Sequence, residues 1–143
     1  MSSQLLARLM VTAVAAGQGI APLFIDLNRT HATNPLWTGH ARFHVVWQTL
    51  TMTTMAVVEV ALLWWISPRS QWVFLLAALM TSTPIVGFLL ALFARAMYAG
   101  RLHDPNGIQP LRIRVANAVR EIDMNLVLVI VGAVVLSVAV LIF

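Results

Sequence analysis

The sequence lacks several residue types, and each absence excludes a class of chemistry. Its 143 residues include no cysteine, so neither a disulfide nor a thiolate metal site can form. All nine basic residues are arginines, which excludes Schiff-base and catalytic-lysine mechanisms. No nucleotide-binding loop, glycine-rich phosphate cradle or nucleophile elbow is present. Charged residues make up only 10% of the chain, against about a quarter in soluble domains, which indicates a protein solvated by lipid.

Hydrophobic residues dominate instead, at 60% of the chain, and form four stretches long enough to cross a bilayer. The predicted spans are residues 5–25, 40–66, 72–97 and 125–143. The first contains AVAA, which resembles a signal-peptide cleavage site, but its apolar run continues well past those small residues. Residues 110–122 carry apolar side chains on one side and arginines on the other, which predicts a short amphipathic helix in the membrane interface. We therefore expect residues 1–143 to form a single all-α transmembrane domain, a four-helix bundle with an interfacial helix before the last span.

The arginines predict the orientation of the bundle. Arg8 and Arg69 fall on the side of the two termini, whereas the other seven fall on the side of the two long loops. The positive-inside rule then places both long loops in the cytoplasm and both termini outside the cell membrane. Because the arginines are scattered at span ends, the net charge of +4 does not indicate a nucleic-acid partner. The expected partners are membrane lipids or lipophilic small molecules, and the multi-pass chain could act as a homo-oligomer or as a subunit of a membrane complex.

The titratable side chains gather on the predicted cytoplasmic side. All four histidines and four of the five acids fall there, the acids being Asp26, Asp104, Glu121 and Asp123. Two of the histidines are one helical turn apart, so their rings project from one face of the second span. Imidazole and carboxylate ligands suit Fe, Zn or Mn. The predicted metal ligands are His40, His44, His31 and Asp26, completed by His103 or Glu121.

A polar stripe is predicted along the second span. Its members are spaced three or four residues apart and share an arc of about 100°; they are His40, His44, Gln48, Thr51, Met55 and Glu59. Such a stripe must face protein or a water-filled cavity. Glu59, the only acid inside a span, is either a proton relay or ligand partner, or a neutral side chain hydrogen-bonded to a nearby Thr or Ser. The expected substrate contacts are Arg95, for a phosphate or carboxylate on an amphiphile, and Gln48, Thr51 and Trp37.

The polar residues of the first long loop have a plainer expected role. Asn34-Pro35 predicts the start of the second helix, with Asn34 as its N-cap. Asn28, Thr30 and Thr33 are expected to cap helix ends and to satisfy the loop backbone.

The segment from Asp26 to His44 resembles a signature of small four-span integral membrane proteins of unknown function. Its elements read Asp26, Asn28, Thr30 and His31, then Asn34-Pro35 and Trp37, then His40-Ala41, Phe43 and His44. The match brings no established reaction with it. More loosely, the predicted bundle is similar to the emopamil-binding sterol isomerase and sigma-2 receptor type, a fold-level resemblance that implies acidic and histidine residues acting on a sterol-like ligand.

These patterns predict an integral membrane enzyme that acts on a lipophilic substrate. Its expected catalytic residues are His31, His40, His44, Asp26 and Glu59. With a transition metal bound, the reaction would be an oxidation, hydroxylation or hydrolysis; without one, the same groups would serve as general acid and base in the isomerisation of a sterol-like or isoprenoid lipid. The alternatives are a non-catalytic lipid-binding subunit and a proton-coupled transporter, which would require Glu59 to titrate. A haem held by two histidines would need His103 to face His40 or His44.

Overall fold

The computed structural model describes residues 2–66, 70–103, 107–116 and 118–143. Within these ranges the chain forms four long α-helices, α1 (Ser3–Ile25), α2 (Gly39–Trp64), α3 (Gln71–Ala94) and α4 (Met124–Ile142). All four are long and apolar enough to cross a membrane, which confirms the predicted membrane four-helix bundle. A 3-10 turn (Arg95–Tyr98) follows α3, and the strands β1 (Leu111–Val115) and β2 (Ala118–Ile122) precede α4. Arg69, which contributes to the predicted orientation, and Asp104, which belongs to the predicted cluster of titratable residues, lie outside the described residues.

Each of these helices begins at a side chain that accepts a hydrogen bond from the backbone amide three residues further on. These N-caps are Ser2, Thr38, Ser70 and Asp123. The prediction that Asn34 caps α2 is therefore wrong. The Asn34 side chain is buried in the loop, where its amide nitrogen donates to the carbonyl of Thr30 at 3.1 Å and its Oδ1 accepts from the amide of Leu36 at 3.0 Å. The Asn-Pro pair thus builds an Asx turn inside the loop instead of starting the helix.

Small residues bring α1 and α2 into close contact. A β-carbon on Gly19 would lie 2.5 Å from the Cβ of Ala56, which leaves room for no side chain at that position. Beside this contact, the Thr53 hydroxyl donates to the carbonyl of Gly19 at 2.7 Å. Because lipid provides little hydrophobic driving force between membrane helices, such backbone approach and interhelical hydrogen bonding hold them together. The contact fixes which face of α2 points inward.

The inward face of α2 differs from the predicted polar stripe. Its buried residues are Thr49, Ala56, Glu59 and Leu63. Of the predicted stripe, Glu59 is buried, but His40, His44, Gln48 and Thr51 are exposed on the surface of this chain. The predicted inward orientation is therefore wrong for these four residues, which extend over about three turns of α2. The small-residue contact with α1, and not side-chain polarity, sets the rotation of the helix.

At the end of the bundle that carries the two termini, Arg8 ties α1 to the end of α2. Its guanidinium donates to the carbonyl of Leu63 and lies 4.3 Å from the centre of the Trp64 ring. The indole nitrogen of Trp64 donates in turn to the Thr12 hydroxyl at 2.9 Å. The arginine thereby satisfies one of the carbonyls that the last turn of a helix leaves without a partner. Nearby, the rings of Phe74 and Phe143 stack at 3.7 Å and join α3 to the end of α4.

The segment before α4 is a β-hairpin, so the predicted interfacial helix over residues 110–122 is wrong. Strands β1 and β2 pair antiparallel from Leu111–Ile122 to Val115–Ala118, and the turn has Ala116 at a φ of 53°. The sequence LRIRV alternates strictly between apolar and charged residues, which is the period of a strand and not of a helix. One face of the hairpin is largely apolar, and the other carries Arg112, Arg114 and Glu121.

Candidate functional site

The first site residues lie in the turn that follows α1. Asp26 ends that helix as its C-cap, and its carboxylate Oδ1 lies 3.8 Å from Nδ1 of His31. The two side chains are 24% and 25% exposed, so water screens this contact only partly. The hydroxyl of Thr30 is 2.8 Å from the same Nδ1. The His31 ring thus lies close to both an acid and a hydroxyl at the end of α1.

Hydrogen bonds around Asn28 assign the protons of this group. The Asn28 amide nitrogen donates to the carbonyls of Phe24 and Ile25 at 2.7 Å and 2.9 Å, which leaves its Oδ1 as the acceptor on the other side. The Thr30 hydroxyl donates to that Oδ1 at 2.7 Å. Because a hydroxyl has a single hydrogen, the Thr30 oxygen then accepts from Nδ1 of His31. This network assigns neutral His31 as the Nδ1–H tautomer, with the lone pair on Nε2.

Asp26 also faces α2, through Thr49. Burial raises the pKa of the Asp26 carboxyl above its ordinary value, and His31 and the Thr49 hydroxyl each act in the opposite direction. Thr49 is fully buried, and its hydroxyl, which lowers the pKa of the Asp26 carboxyl, forms no hydrogen bond of normal geometry within the described part of the chain. A buried hydroxyl without a hydrogen-bond partner is costly. We therefore expect a hydrogen bond between Asp26 and Thr49, either direct or through a bound polar atom.

An open cleft of about 540 Å³ lies where the two long loops meet. This volume is in the range of pockets for small molecules, about 300–1,000 Å³. The first loop contributes His31 and Trp37, whose rings meet edge to face at 5.3 Å. The second loop contributes the remaining lining residues: Ala99, Arg101, Leu102, His103, Gly107 and Ile108. The cleft therefore combines two imidazoles and a guanidinium with an indole and aliphatic side chains, which suits an amphiphilic molecule.

His40 and His44 form a second, separate group. Their Nε2 atoms lie 3.0 Å apart, both rings are exposed, and neither lines the cleft. Among the described residues, no three His, Asp or Glu side chains are placed to hold one metal ion. The predicted centre that would gather His31, Asp26 and both of these histidines is therefore not assembled there. A bound metal stays a prediction.

The other acids and histidine predicted for the site, His103, Glu121 and Glu59, lie in three different parts of the structure. His103 lines the cleft together with His31. Glu121 instead accepts from the Nε atom of Arg112 at 3.0 Å, across the hairpin. Glu59 is 2% exposed and accepts from the hydroxyl of Thr81 at 3.0 Å. It lies about 22 Å along α2 from His44 at 1.5 Å per residue, too far to share a site with the loop residues.

Of the four predicted substrate contacts, one lines the cleft and three do not. Trp37 lines the cleft, whereas Gln48, Thr51 and Arg95 are exposed and lie outside its lining. The guanidinium of Arg95 donates to the carbonyl of Leu92, in the last turn of its own helix. Arg101 is the cation that lines the cleft instead.

Sequence reasoning missed four residues of this region. Thr30 and Asn28 were expected only to satisfy the loop backbone, a role that they do fill, but they also set the tautomer of His31. Arg101 could have been found from its position two residues before His103. Thr49 carried no signal, because a threonine in an apolar span is common and its inward face depends on how α2 packs. Comparison with protein-family models, curated proteins and solved structures finds no match to this chain.

Proposed function

We propose that this protein is an integral membrane enzyme that uses His31 as a general base on an amphiphilic lipid bound in the cleft. The observation that supports it most directly is the chain of hydrogen bonds from Asn28 through Thr30 to Nδ1 of His31. A base must present an unprotonated nitrogen to its substrate. With its proton held at Nδ1, His31 has its lone pair on Nε2, on the side of the ring away from Asp26 and Thr30.

The Asp26 carboxylate supports this role. When His31 takes up a proton, the imidazolium that forms lies 3.8 Å from a carboxylate oxygen, and this attraction is stronger in a partly buried site than in water. The Asp–His arrangement orients the ring and stabilises its charged form, as in other acid–base sites. Asp26 is a positioning residue in this proposal, because it acts through His31.

The other cleft residues suit a lipid with a polar group. Arg101 and His103 can donate hydrogen bonds to a carbonyl, hydroxyl or phosphate oxygen, while Trp37, Leu102 and Ile108 offer apolar surface. The cleft lies at the ends of helices that are long enough to cross a membrane, so a lipid can enter it from the bilayer.

The reaction class favoured by these groups is an isomerisation. His31 removes a proton from a carbon next to a polarised oxygen or a double bond, and the resulting imidazolium, or His103, returns a proton at another carbon. The C–H bond that breaks is replaced by one that forms, so the net reaction moves a double bond without any external oxidant or reductant. We therefore place the substrate among lipids that contain such a carbon, sterol-like and isoprenoid lipids included.

Deuterium wash-in tests this proposal on a mixture of lipids, so the substrate need not be chosen in advance. The protein, purified in mild detergent, is incubated in D₂O with a total membrane lipid extract, and the lipids are analysed by mass spectrometry. We expect at least one lipid to incorporate deuterium with the wild type. The rate of incorporation should fall about 100-fold with His31→Gln and stay unchanged with His40→Gln, a matched control outside the cleft.

Two outcomes would contradict the proposed enzymatic function. If His31→Gln incorporates deuterium as fast as the wild type, His31 is not the base. If no lipid is labelled but one lipid species co-purifies with the wild type and not with Arg101→Gln, the cleft belongs to a non-catalytic lipid-binding protein.

We further propose that both long loops face the cytoplasm of the cell and both termini the outside. The excess of arginines on the loop side supports this orientation. Because the chain contains no cysteine, single substitutions can report it directly. In intact cells a membrane-impermeant maleimide should label Gln71→Cys and spare Thr33→Cys until the cells are lysed; the reverse pattern would refute the orientation.

A further inference from the structure

The exposed histidine pair at the start of α2 has a geometry suited to a metal ion. The Nε2 atoms of His40 and His44 are 3.0 Å apart, and both belong to one rigid helix. A metal bound about 2.05 Å from each nitrogen requires a separation of about 2.9 Å for a right-angled pair and about 3.35 Å for a tetrahedral one. The observed distance lies between these values, so both rings can bind one ion with little change in rotamer.

Without a metal ion, at most one hydrogen lies between the two Nε2 atoms. In a neutral pair, one Nε2 carries a hydrogen and donates it to the lone pair of the other. For both rings to bind a metal ion through Nε2, the donating ring must transfer its hydrogen from Nε2 to Nδ1 by exchange with water, and each Nε2 then offers a lone pair. Both histidines are exposed, so water can occupy the other coordination positions.

Arg42, the cation nearest to this pair in sequence, does not share its face of the helix. Arg42 lies between the two histidines in sequence, but at 100° per residue it is about 160° away from the His40 direction around the helix. Neutral imidazole is the form that binds metal ions.

We propose that His40 and His44 form a bidentate site for one divalent transition-metal ion of the Cu²⁺ or Zn²⁺ type, separate from the cleft. The site is complete within one chain and does not depend on the proposed function of His31. It differs from the single centre expected from sequence, because it uses two protein ligands and leaves Asp26 and His31 to the cleft.

Titration with Cu²⁺ alone tests the site, on the full chain purified without a polyhistidine tag. We expect one ion per chain by isothermal titration calorimetry, and an electron paramagnetic resonance spectrum with hyperfine coupling to two imidazole nitrogens. Removing one ring leaves a single ligand, so His44→Ala should weaken binding by about 100-fold and reduce the coupling to one nitrogen. Trp47, whose ring lies 5.7 Å from that of His44, should lose fluorescence on binding, and Trp47→Phe should remove most of this change.

The controls keep the proposal falsifiable. His31→Ala and His103→Ala remove the other two histidines and should leave the affinity and the spectrum unchanged. Each variant is compared with the wild type by circular dichroism and gel filtration, so that a misfolded protein is recognised. Equal Cu²⁺ affinity in the wild type and the His40→Ala/His44→Ala double variant would show an adventitious ion only and overturn the site. Loss of binding in His31→Ala, or one ion for every two chains, would overturn it as well.

Discussion

The Nδ1 atom of His31 lies 3.8 Å from the carboxylate of Asp26, which ends α1 as its C-cap. Burial raises the pKa of Asp26 above its ordinary value of 3.8, although His31 and Thr49 oppose the shift. The folded protein therefore binds this proton more tightly than the unfolded chain does. The resulting stabilisation is complete below pH 3.8 and is lost as the pH rises through the raised pKa.

Asp26→Asn should accordingly reduce the dependence of stability on pH. Across that window the free energy of unfolding of the wild type falls as the pH rises, whereas asparagine is neutral throughout and removes this part of the slope. Unfolding by SDS, followed by circular dichroism at a series of pH values, measures the difference. An identical slope in the two proteins would show that Asp26 does not titrate as a buried carboxyl.

Thr30→Val should change the tautomer of His31. Valine keeps the shape of the side chain but removes the oxygen that accepts from Nδ1, so the proton is no longer held there. Nitrogen NMR of protein with ¹⁵N-labelled histidine distinguishes a protonated Nδ1 from a protonated Nε2. We expect the wild type to have the proton on Nδ1, Thr30→Val to lose this preference, and Thr33→Val, on an exposed threonine of the same loop, to resemble the wild type. A wild type with its proton on Nε2 would contradict the assigned network.

Gly19→Ala should destabilise the bundle. The new methyl group would come within 2.5 Å of the Cβ of Ala56, an atom that cannot move without its backbone, so the two helices must separate. Overpacking of this kind costs about 1–3 kcal/mol. Gly17→Ala is the matched control, because a β-carbon there meets no atom of the described residues within 4 Å. SDS-induced unfolding should show a loss for the first variant only; equal stability of the two would mean that α1 and α2 do not approach at Gly19.

Glu59→Gln should be tolerated, and Thr81→Val should not. The single hydrogen of the Thr81 hydroxyl is shared between Glu59, at 3.0 Å, and the carbonyl of Ala77, at 2.9 Å. The amide of glutamine can donate to the Thr81 oxygen and free that hydrogen for the carbonyl, whereas valine leaves the buried carboxyl without this partner. We expect Thr81→Val to lower the free energy of unfolding by about 1–3 kcal/mol and Glu59→Gln to lower it by less. The reverse order would assign Glu59 a role that depends on its carboxyl group.

The four spans could be predicted because they depend on hydrophobicity alone, which is a property of each stretch of sequence. Their rotation could not be predicted, since it depends on which residues allow close approach of a neighbouring helix. Polarity suggested that Gln48 and Thr51 face inward, but the contact at Gly19 turns Thr49 inward instead. One residue of difference is about 100° of rotation, enough to move a side chain from the interior to the surface.

Part of the site was likewise accessible from sequence. Asp26 and His31 are five residues apart, so a turn after α1 brings them together whatever the rest of the bundle does. His40 and His44 are close for the same local reason, as neighbours on one helix. Whether the two groups meet is a tertiary question, and the structure keeps His40 and His44 outside the cleft that His31 lines. The hairpin was missed because the strict alternation of LRIRV was interpreted with the period of a helix.

Gly19 and Ala56 form the close contact between α1 and α2. Asp26 follows Gly19 by seven residues and Thr49 precedes Ala56 by seven, so both side chains lie about two helical turns from that contact. Inserting a single alanine between Gly19 and Asp26 would therefore rotate the carboxyl by about 100° around the helix axis without changing any existing side chain. The relationship between the Asp26 carboxyl and the Thr49 hydroxyl on the neighbouring helix depends on the number of residues in this segment as strictly as on their identity, and any redesign or chimera of the first helix has to conserve that count.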